Sequence, residues 1–314
     1  MYRLLPIVVL LVSLVALSSD AEVVRSLTTC KSSFYKGHIP KYIATNNHVR
    51  ICQLLNNKYH YATLFDKEKR VPVYSAYVFK SDNNSERPLW YYEPQVSDPS
   101  SSEKSMLEYK PGSGVKNQAT DEDYQDATAY KYTKGHVNPF SHNSGDGATA
   151  TCTYTNVVPQ LSNFNNVIWS AHETNLANIL KGNCRDPNTP YVIVGAYPST
   201  DKFIGVDKKV NVPEFMWSAF CCANEKNNGI LSGAYWAKHE NNGTVYEISM
   251  SDLEKKLTKD PVNPVTIFVG GCKAQSQGFL SEMTDGWVAE GMFGKILVEY
   301  VTSLLKSLWA TWFE

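Results

Sequence analysis

One dense block of polar and small residues decides the fold, and it begins Tyr132-Thr133-Lys134-Gly135-His136-Val137-Asn138-Pro139. A loop with two glycines follows, and the next segment, residues 151–157, alternates in a way that predicts a second strand. Residues 164–181 then predict an amphipathic helix that ends at Gly182. The order is therefore strand, strand, helix, with a histidine on the first element.

The helix of this block carries two polar residues beside its predicted buried face. Residues at 3.6-residue spacing define that face: Phe164, Val167, Ile168, Ala171, Asn175 and Ile179. Counted at about 100° per residue, Asn165 and Glu173 flank the face on one side, with Trp169 between them. Two polar side chains placed beside the core can line a site.

These residue types suit metal-assisted hydrolysis of a phosphate ester. A neutral imidazole takes a proton from water, and an amide oxygen is a hard ligand that suits Mg²⁺. Such a metal bridges phosphate oxygens and stabilises the leaving group. A general base contributes only about 10²–10⁴-fold, so the metal and a cation must supply the rest.

The block resembles the DNA/RNA non-specific endonuclease family, which has the ββα-metal (His-Me finger) fold. The resemblance covers roughly residues 50–275, and the following segments carry it: 87–95, 134–139, 155–160, 212–217, and Phe164-Asn165 with Trp169 and Glu173. It implies an α+β fold with a central, mainly antiparallel sheet flanked by helices. It also implies a Mg²⁺-dependent endonuclease, with Mn²⁺ as a substitute metal, that cuts DNA and, as an open second substrate, RNA.

The resemblance further implies a role for individual side chains. It makes His136 the general base that activates water, and Asn165 the metal-binding amide. Glu173 is the helix carboxylate that orients water in the metal shell, and Asn156 is a supporting amide. Arg87 is the candidate phosphate-stabilising cation.

The chain departs from the family at two positions of the first strand. The family's usual Asp-Arg-Gly-His reads Thr133-Lys134-Gly135-His136 here. Lys134 keeps the positive charge but lacks the bidentate fork of arginine. Thr133 removes a carboxylate from the groups that surround the histidine and the metal waters. The alternative function is therefore a catalytically impaired secreted binding or immune-interaction protein that retains the nuclease fold.

The remaining composition excludes some classes of protein. With 314 residues, 43% of them hydrophobic, the chain can build a full core, so wholesale disorder is excluded. The net charge of −1 excludes a basic surface that binds nucleic acid everywhere. Further strands are predicted over residues 71–79, 191–197 and 265–269, and the acidic residues 121–123 are predicted to form a solvated loop.

The two ends of the chain carry signals of their own. Arg3 and the apolar run from Leu4 to Leu17 predict a signal peptide over residues 1–21, and hence a secreted protein. The endonuclease domain would span residues 22–294. Residues 295–314 predict an amphipathic helix that either docks on the domain or contacts a membrane surface. The membrane alternative leaves open a phosphodiesterase that acts on a smaller or lipid substrate.

Cysteine usage and sequons agree with an oxidising compartment. Seven cysteines are present, so at least one thiol is free or pairs between chains, and the adjacent Cys221 and Cys222 are expected to bond to different partners. The acceptor sequons begin at Asn83 and Asn242.

Overall fold

A computed structural model of the chain describes residues 23–80, 87–125, 132–184, 190–205, 207–224 and 229–272. The predicted signal peptide, the predicted C-terminal helix over residues 295–314 and the sequon at Asn83 lie outside the described residues. Within the described part, no helix is both long and apolar enough to cross a bilayer.

A central antiparallel sheet organises the molecule. Its eight strands lie in the order β1-β2-β3-β4-β9-β10-β11-β12, and two small two-stranded sheets, β5-β6 and β7-β8, accompany it. The strands are β1 Val23–Val24, β2 His48–Leu55, β3 Lys58–Asp66, β4 Val71–Val78, β5 Tyr91–Tyr92, β6 Leu107–Glu108, β7 Tyr132–His136, β8 Val157–Leu161, β9 Tyr191–Ile204, β10 Val210–Ala223, β11 Ile230–Lys238 and β12 Val245–Ile248. The helices are α1 Pro94–Ser97, α2 Asp121–Gln125, α3 Asp146–Ala150, α4 Ser170–Asn183 and α5 Met250–Leu257, and a π-helix spans Phe164–Trp169. The α+β class and the mainly antiparallel sheet are as predicted.

The sheet separates two hydrophobic cores, because successive side chains of a strand point to opposite faces. In β10, Met216 and Phe220 pack into the core that also holds the π-helix and α4, whereas Trp217 and Ala219 pack into the core that holds α5. Burial on both faces explains why this long strand is almost continuously apolar. The β7-β8 pair belongs to the first core.

Three disulfides link distant parts of the described chain: Cys30–Cys52, Cys184–Cys222 and Cys221–Cys272. The prediction that the adjacent pair bonds to different partners is confirmed. Since Cys221 and Cys222 point to opposite faces of β10, one bond secures the end of α4 and the other secures the segment beyond α5. Cys152 remains a buried free thiol.

Two predicted strands are wrong, because side chains take their backbone hydrogen bonds. The segment 151–157 is mostly a turn and a 3₁₀ helix, in which the Thr151 hydroxyl donates to the Ala148 carbonyl. Thr153 makes an isolated bridge with Tyr91, and continuous strand pairing begins only at Val157. In the segment 265–269, Val265 N donates to the Thr258 hydroxyl and Ile267 N donates to the Glu254 carboxylate. Thr266 alone makes a bridge there, with Lys41.

The predicted face of the long helix is also wrong. Val167 is 59% exposed and Ala171 is exposed, whereas the side chains that are buried are Phe164, Trp169, His172, Leu176 and Leu180. The first interval in that set is five residues, the spacing of a π-helix, and the later intervals are three or four. The wider first turn rotates every later residue away from the face that an α-helical count predicts.

A buried histidine joins the β7-β8 pair to the central sheet. His239 accepts at Nε2 from the backbone N of Leu161 in β8 (2.8 Å) and donates from Nδ1 to the backbone O of Pro213 in β10 (2.9 Å). The bond from Leu161 N requires a neutral ring with its proton on Nδ1, because a protonated Nε2 cannot accept. Burial lowers the pKa of His239 to about 4, against a slight rise from its bond to Pro213.

This histidine makes stability depend on pH. Its pKa is depressed on folding, so its stabilising contribution is complete above the unfolded value of about 6.5 and is lost as the pH falls towards 4, with a limit of roughly 3 kcal/mol. A His239→Gln variant keeps a donor and an acceptor but does not titrate. Urea unfolding at about pH 7 and about pH 4.5 should show a smaller loss of unfolding free energy in the variant than in the wild type. Equal losses in both proteins would contradict this account.

Candidate active site

His136 is the last residue of β7 and pairs with Val157 of β8. Its ring lies against Trp90, with 5.4 Å between the ring centroids, and only 8% of the residue is exposed. Burial, together with the positive charges of Arg87 and Lys134, lowers the pKa of His136 to about 3. The imidazole is therefore neutral at physiological pH, the form that accepts a proton from water.

The free thiol of Cys152 lies beside the His136 ring. His136 Nε2 lies 3.7 Å from Cys152 Sγ. Burial raises the pKa of the Cys152 thiol and lowers that of the imidazole, so both groups are neutral. A thiolate nucleophile activated by histidine is thus disfavoured, and Cys152 is a neighbour of the base rather than a reacting group.

Asn156 is fully engaged in holding the backbone around His136. Its Oδ1 accepts from the Ser75 hydroxyl (3.0 Å) and from Asn138 N (2.9 Å). Its Nδ2 donates to the backbone oxygens of Asn138 (3.0 Å) and Thr151 (2.9 Å). With both amide atoms used, the geometry fits the supporting role that the resemblance implies and not a metal ligand.

The structure connects Asn165 to β7 through Thr133. Asn165 lies in the π-helix and is half-buried, and its Nδ2 donates to the Thr133 hydroxyl at 3.0 Å. Thr133 lies three residues before His136 in β7. Asn165 Oδ1 makes no hydrogen bond with a described residue.

Glu173 lies in the first turn of α4 and is anchored by its backbone. The backbone O of Glu173 accepts from Nε2 of the buried His142 at 2.9 Å, while His142 Nδ1 accepts from the Tyr77 hydroxyl at 2.9 Å. Burial raises the pKa of the Glu173 carboxyl group to about 8, against the opposing positive charge of Arg87. No hydrogen bond or ion pair to a described residue engages this carboxyl group.

Arg87 is exposed and is electrostatically coupled to the whole site. Its guanidinium carbon lies 5.6 Å from the centre of the Phe140 ring. Its positive charge lowers the pKa of three groups, those of His136, Cys152 and Glu173. One cation therefore lies near both the predicted base and the predicted water-orienting carboxylate.

Lys134 has a partner that the sequence did not indicate. Its ammonium pairs with Asp121 of α2 and lies 4.6 Å from the centre of the Trp90 ring, with Tyr154 at 5.6 Å and Tyr124 at 5.9 Å. The prediction of a solvated acidic loop at residues 121–123 is wrong, because these residues begin a short helix that faces β7. Lys134 thus lies over the Trp90 ring, which the His136 ring also contacts.

A buried carboxylate supports the segment that leads to Asn156. Glu93 is fully buried, and its Oε1 accepts from Gln53 Nε2 (2.7 Å), the Thr153 hydroxyl (3.0 Å) and the Thr155 hydroxyl (3.3 Å). Sequence reasoning placed Glu93 in the family-like segment 87–95 but assigned it no role. Hydroxyl residues at alternate positions in 151–155 were the available signal, because buried hydroxyls need a polar partner.

Comparison with known proteins identifies the chain's relatives. A family profile described as DNA/RNA non-specific endonuclease matches residues 41–263. The chain belongs to this family. The resemblance drawn from the segments around His136 is confirmed.

Two curated members of the family are similar to this chain. The Homo sapiens endonuclease domain-containing 1 protein is 32% identical over 259 residues, which cover 79% of this chain and 48% of that protein. The Mus musculus protein of the same name is 34% identical over 244 residues, which cover 74% and 46%. The chain spans about half the length of these relatives. A solved structure of the EndoG/EndoGI complex is similar at a TM-score of 0.48 and 15% identity, covering 69% of this chain and 85% of that one.

The family implies a divalent metal, and the side chains around Asn165 fit one. Among the described residues, no cluster of three His, Cys, Asp or Glu side chains could cage a metal. Mg²⁺ does not need such a cage, because it keeps several waters and binds few protein oxygens. Asn165 Oδ1 is a free amide oxygen, and Glu173 offers a carboxyl group for hydrogen bonds to bound water.

Gly135 is required by the packing of the β7-β8 pair. A Cβ at this position would overlap Gln160 Cδ and lie 2.6 Å from Gln160 Oε1, and Gln160 is fully buried. The same Cβ would lie 2.6 Å from Gln160 Cγ, so the clash extends beyond the amide end of the buried Gln160 side chain. Close packing against Gln160 therefore requires a glycine at this position of the catalytic strand.

We expect Gly135→Ala to lower the unfolding free energy by about 1–3 kcal/mol, the usual penalty of overpacking a core. Gly182→Ala is the matched control, because a Cβ at Gly182 meets no atom within 4 Å. Alanine there should be neutral or stabilising. Urea denaturation of both variants measures the difference, and an equally stable Gly135→Ala protein would refute the steric argument.

Proposed function

We propose that this chain is a Mg²⁺-dependent endonuclease that hydrolyses phosphodiester bonds of DNA, and also of RNA. The observation that carries the proposal is the neutral, buried His136 at the end of β7, with the positive charge of Arg87 close enough to act on both His136 and Glu173. Family membership supports a nuclease at the level of reaction class.

In the proposed reaction, His136 takes a proton from the attacking water. Asn165 would hold the metal through Oδ1, and Glu173 would orient water around it. When bound, Mg²⁺ supplies positive charge to the phosphate and the leaving oxygen. Arg87 stabilises the negative charge that develops on the phosphate, as a guanidinium does through charge-assisted hydrogen bonds.

A second candidate function is binding without turnover, and one observation favours it. The Lys134 ammonium is already paired with Asp121, so this cation is not free to meet a phosphate as an unpaired side chain would. The nuclease fold without a free cation at this position would then serve to recognise a partner rather than to cut nucleic acid. The cleavage experiment below decides between the two functions.

We also propose that the protein is secreted and glycosylated. Three disulfides in the described residues support an oxidising compartment. The sequon residue Asn242 is exposed, as a glycan acceptor must be.

Incubation of the purified full chain with supercoiled plasmid and Mg²⁺ tests the nuclease proposal. We expect nicking and then linearisation that a chelator abolishes. His136→Ala should lower the rate by about 10²–10⁴-fold, the contribution of a general base. His38→Ala is the matched control, because His38 is an exposed histidine outside this site and should leave the rate unchanged.

Cleavage that persists in His136→Ala at the wild-type rate would reject the assigned base. No cleavage by the wild type with Mg²⁺, Mn²⁺ or another divalent metal, while plasmid binding is retained, would reject the nuclease and favour the binding protein.

A further inference from the structure

Thr133 is the position where the family usually has an aspartate, and its hydroxyl occupies the space between β8 and the π-helix. The hydroxyl donates to the backbone O of Gln160 (3.2 Å) and accepts from Asn165 Nδ2 (3.0 Å). Gln160 is the direct partner of Thr133 in the β7-β8 pairing, so the strand register fixes where this hydroxyl lies. Thr133 is half-buried.

The directions of these two bonds follow from the atoms involved. A backbone carbonyl only accepts, so the single hydroxyl proton of Thr133 is used on Gln160. The oxygen of Thr133 then has only lone pairs to offer to Asn165. It can hold the NH₂ end of the amide and cannot hold the oxygen end. The hydrogen-bond network, rather than the shape of the amide, therefore decides which way Asn165 is turned.

We propose that Thr133 is a positioning residue that sets the orientation of the Asn165 amide, so that Oδ1 faces a divalent metal ion. This inference rests on the proposed function only in taking Asn165 as the metal ligand. An uncharged hydroxyl does here what a carboxylate at the same position would also do, namely accept from Nδ2. The departure from the family's aspartate thus keeps the orientation of the ligand while removing one negative charge.

Orientation matters at this site because so few protein atoms would hold the metal. Within the described residues, Asn165 Oδ1 is the only free amide oxygen that the family assignment offers as a direct ligand. If the amide rotates by half a turn, an NH₂ group faces the cation and repels it. Removing the partner that orients a ligand typically weakens metal binding by about 10–100-fold.

The variant Thr133→Val removes the hydroxyl and keeps the branched shape, whereas Thr133→Ser keeps the hydroxyl. The matched control is Thr258→Val at the end of α5, in the opposite core. Thr258 has the same bonding pattern, since its hydroxyl donates to Glu254 O (2.7 Å) and accepts from Val265 N (3.0 Å). It is also half-buried.

The experiment measures Mn²⁺ binding to the full chain by electron paramagnetic resonance, in the absence of nucleic acid. We expect the dissociation constant to rise about 10–100-fold in Thr133→Val and to stay within about threefold of the wild type in Thr133→Ser. Thr258→Val should bind as the wild type does, even where its thermal stability falls. Wild-type affinity in Thr133→Val, or equal weakening in Thr258→Val, would overturn the proposal.

Plasmid cleavage by the same proteins separates this inference from the nuclease proposal. In Thr133→Val, the Mg²⁺ concentration for half-maximal rate should rise, and saturating Mg²⁺ should restore most of the rate. If Thr133→Val weakens Mn²⁺ binding but the wild type does not cleave, the positioning role stands and the nuclease fails. If the wild type cleaves and Thr133→Val binds Mn²⁺ normally, the nuclease stands and the positioning role fails. A wild type that binds no Mn²⁺ overturns the positioning role.

Discussion

The side-chain amide of Asn156 is the constraint on which the site depends. Its four hydrogen bonds join β4, through Ser75, to the backbone at Asn138 and Thr151, both of which follow the catalytic strand in the chain. These residues are buried, and without the amide the backbone groups of Asn138 and Thr151 would be left unsatisfied, at about 1–3 kcal/mol apiece, whereas the Ser75 hydroxyl would keep its bond to Thr63. The His136 strand therefore keeps its place relative to the large sheet because one amide bonds to four polar groups of three residues.

Charge at the site is arranged locally in a chain whose net charge is only −1. Arg87 acts on the pKa of His136 and of Glu173, and Lys134 is held by Asp121 among aromatic rings. Burial contributes the larger effect on both the histidine and the carboxyl group. A neutral base, a carboxyl group and an exposed cation can thus coexist within a small region without a basic surface around them.

Sequence patterns predicted the class of the fold, the strands at residues 71–79 and 191–197, and the block around His136, because hydrophobic periodicity and motif order are local signals. They failed where a side-chain hydroxyl takes a hydrogen bond that a strand would make between backbones, as the hydroxyls of Thr151 and Thr258 do. Threonine occurs in strands and in turns, so the sequence alone does not distinguish the two. They also failed at the π-helix, because one extra residue in a turn changes the phase without changing composition. The partner of Lys134 was unpredictable for a third reason: Asp121 meets it only through the tertiary fold.

Anomalous diffraction from crystals of the full chain soaked in Mn²⁺ tests the central claim most directly. The account predicts one ion bonded to Asn165 Oδ1 and to waters, with Glu173 hydrogen-bonded to one of those waters and His136 facing the same cleft. An ion bound elsewhere would contradict it. The absence of an ion, together with an Asn165 amide whose oxygen points to Thr133, would also contradict it.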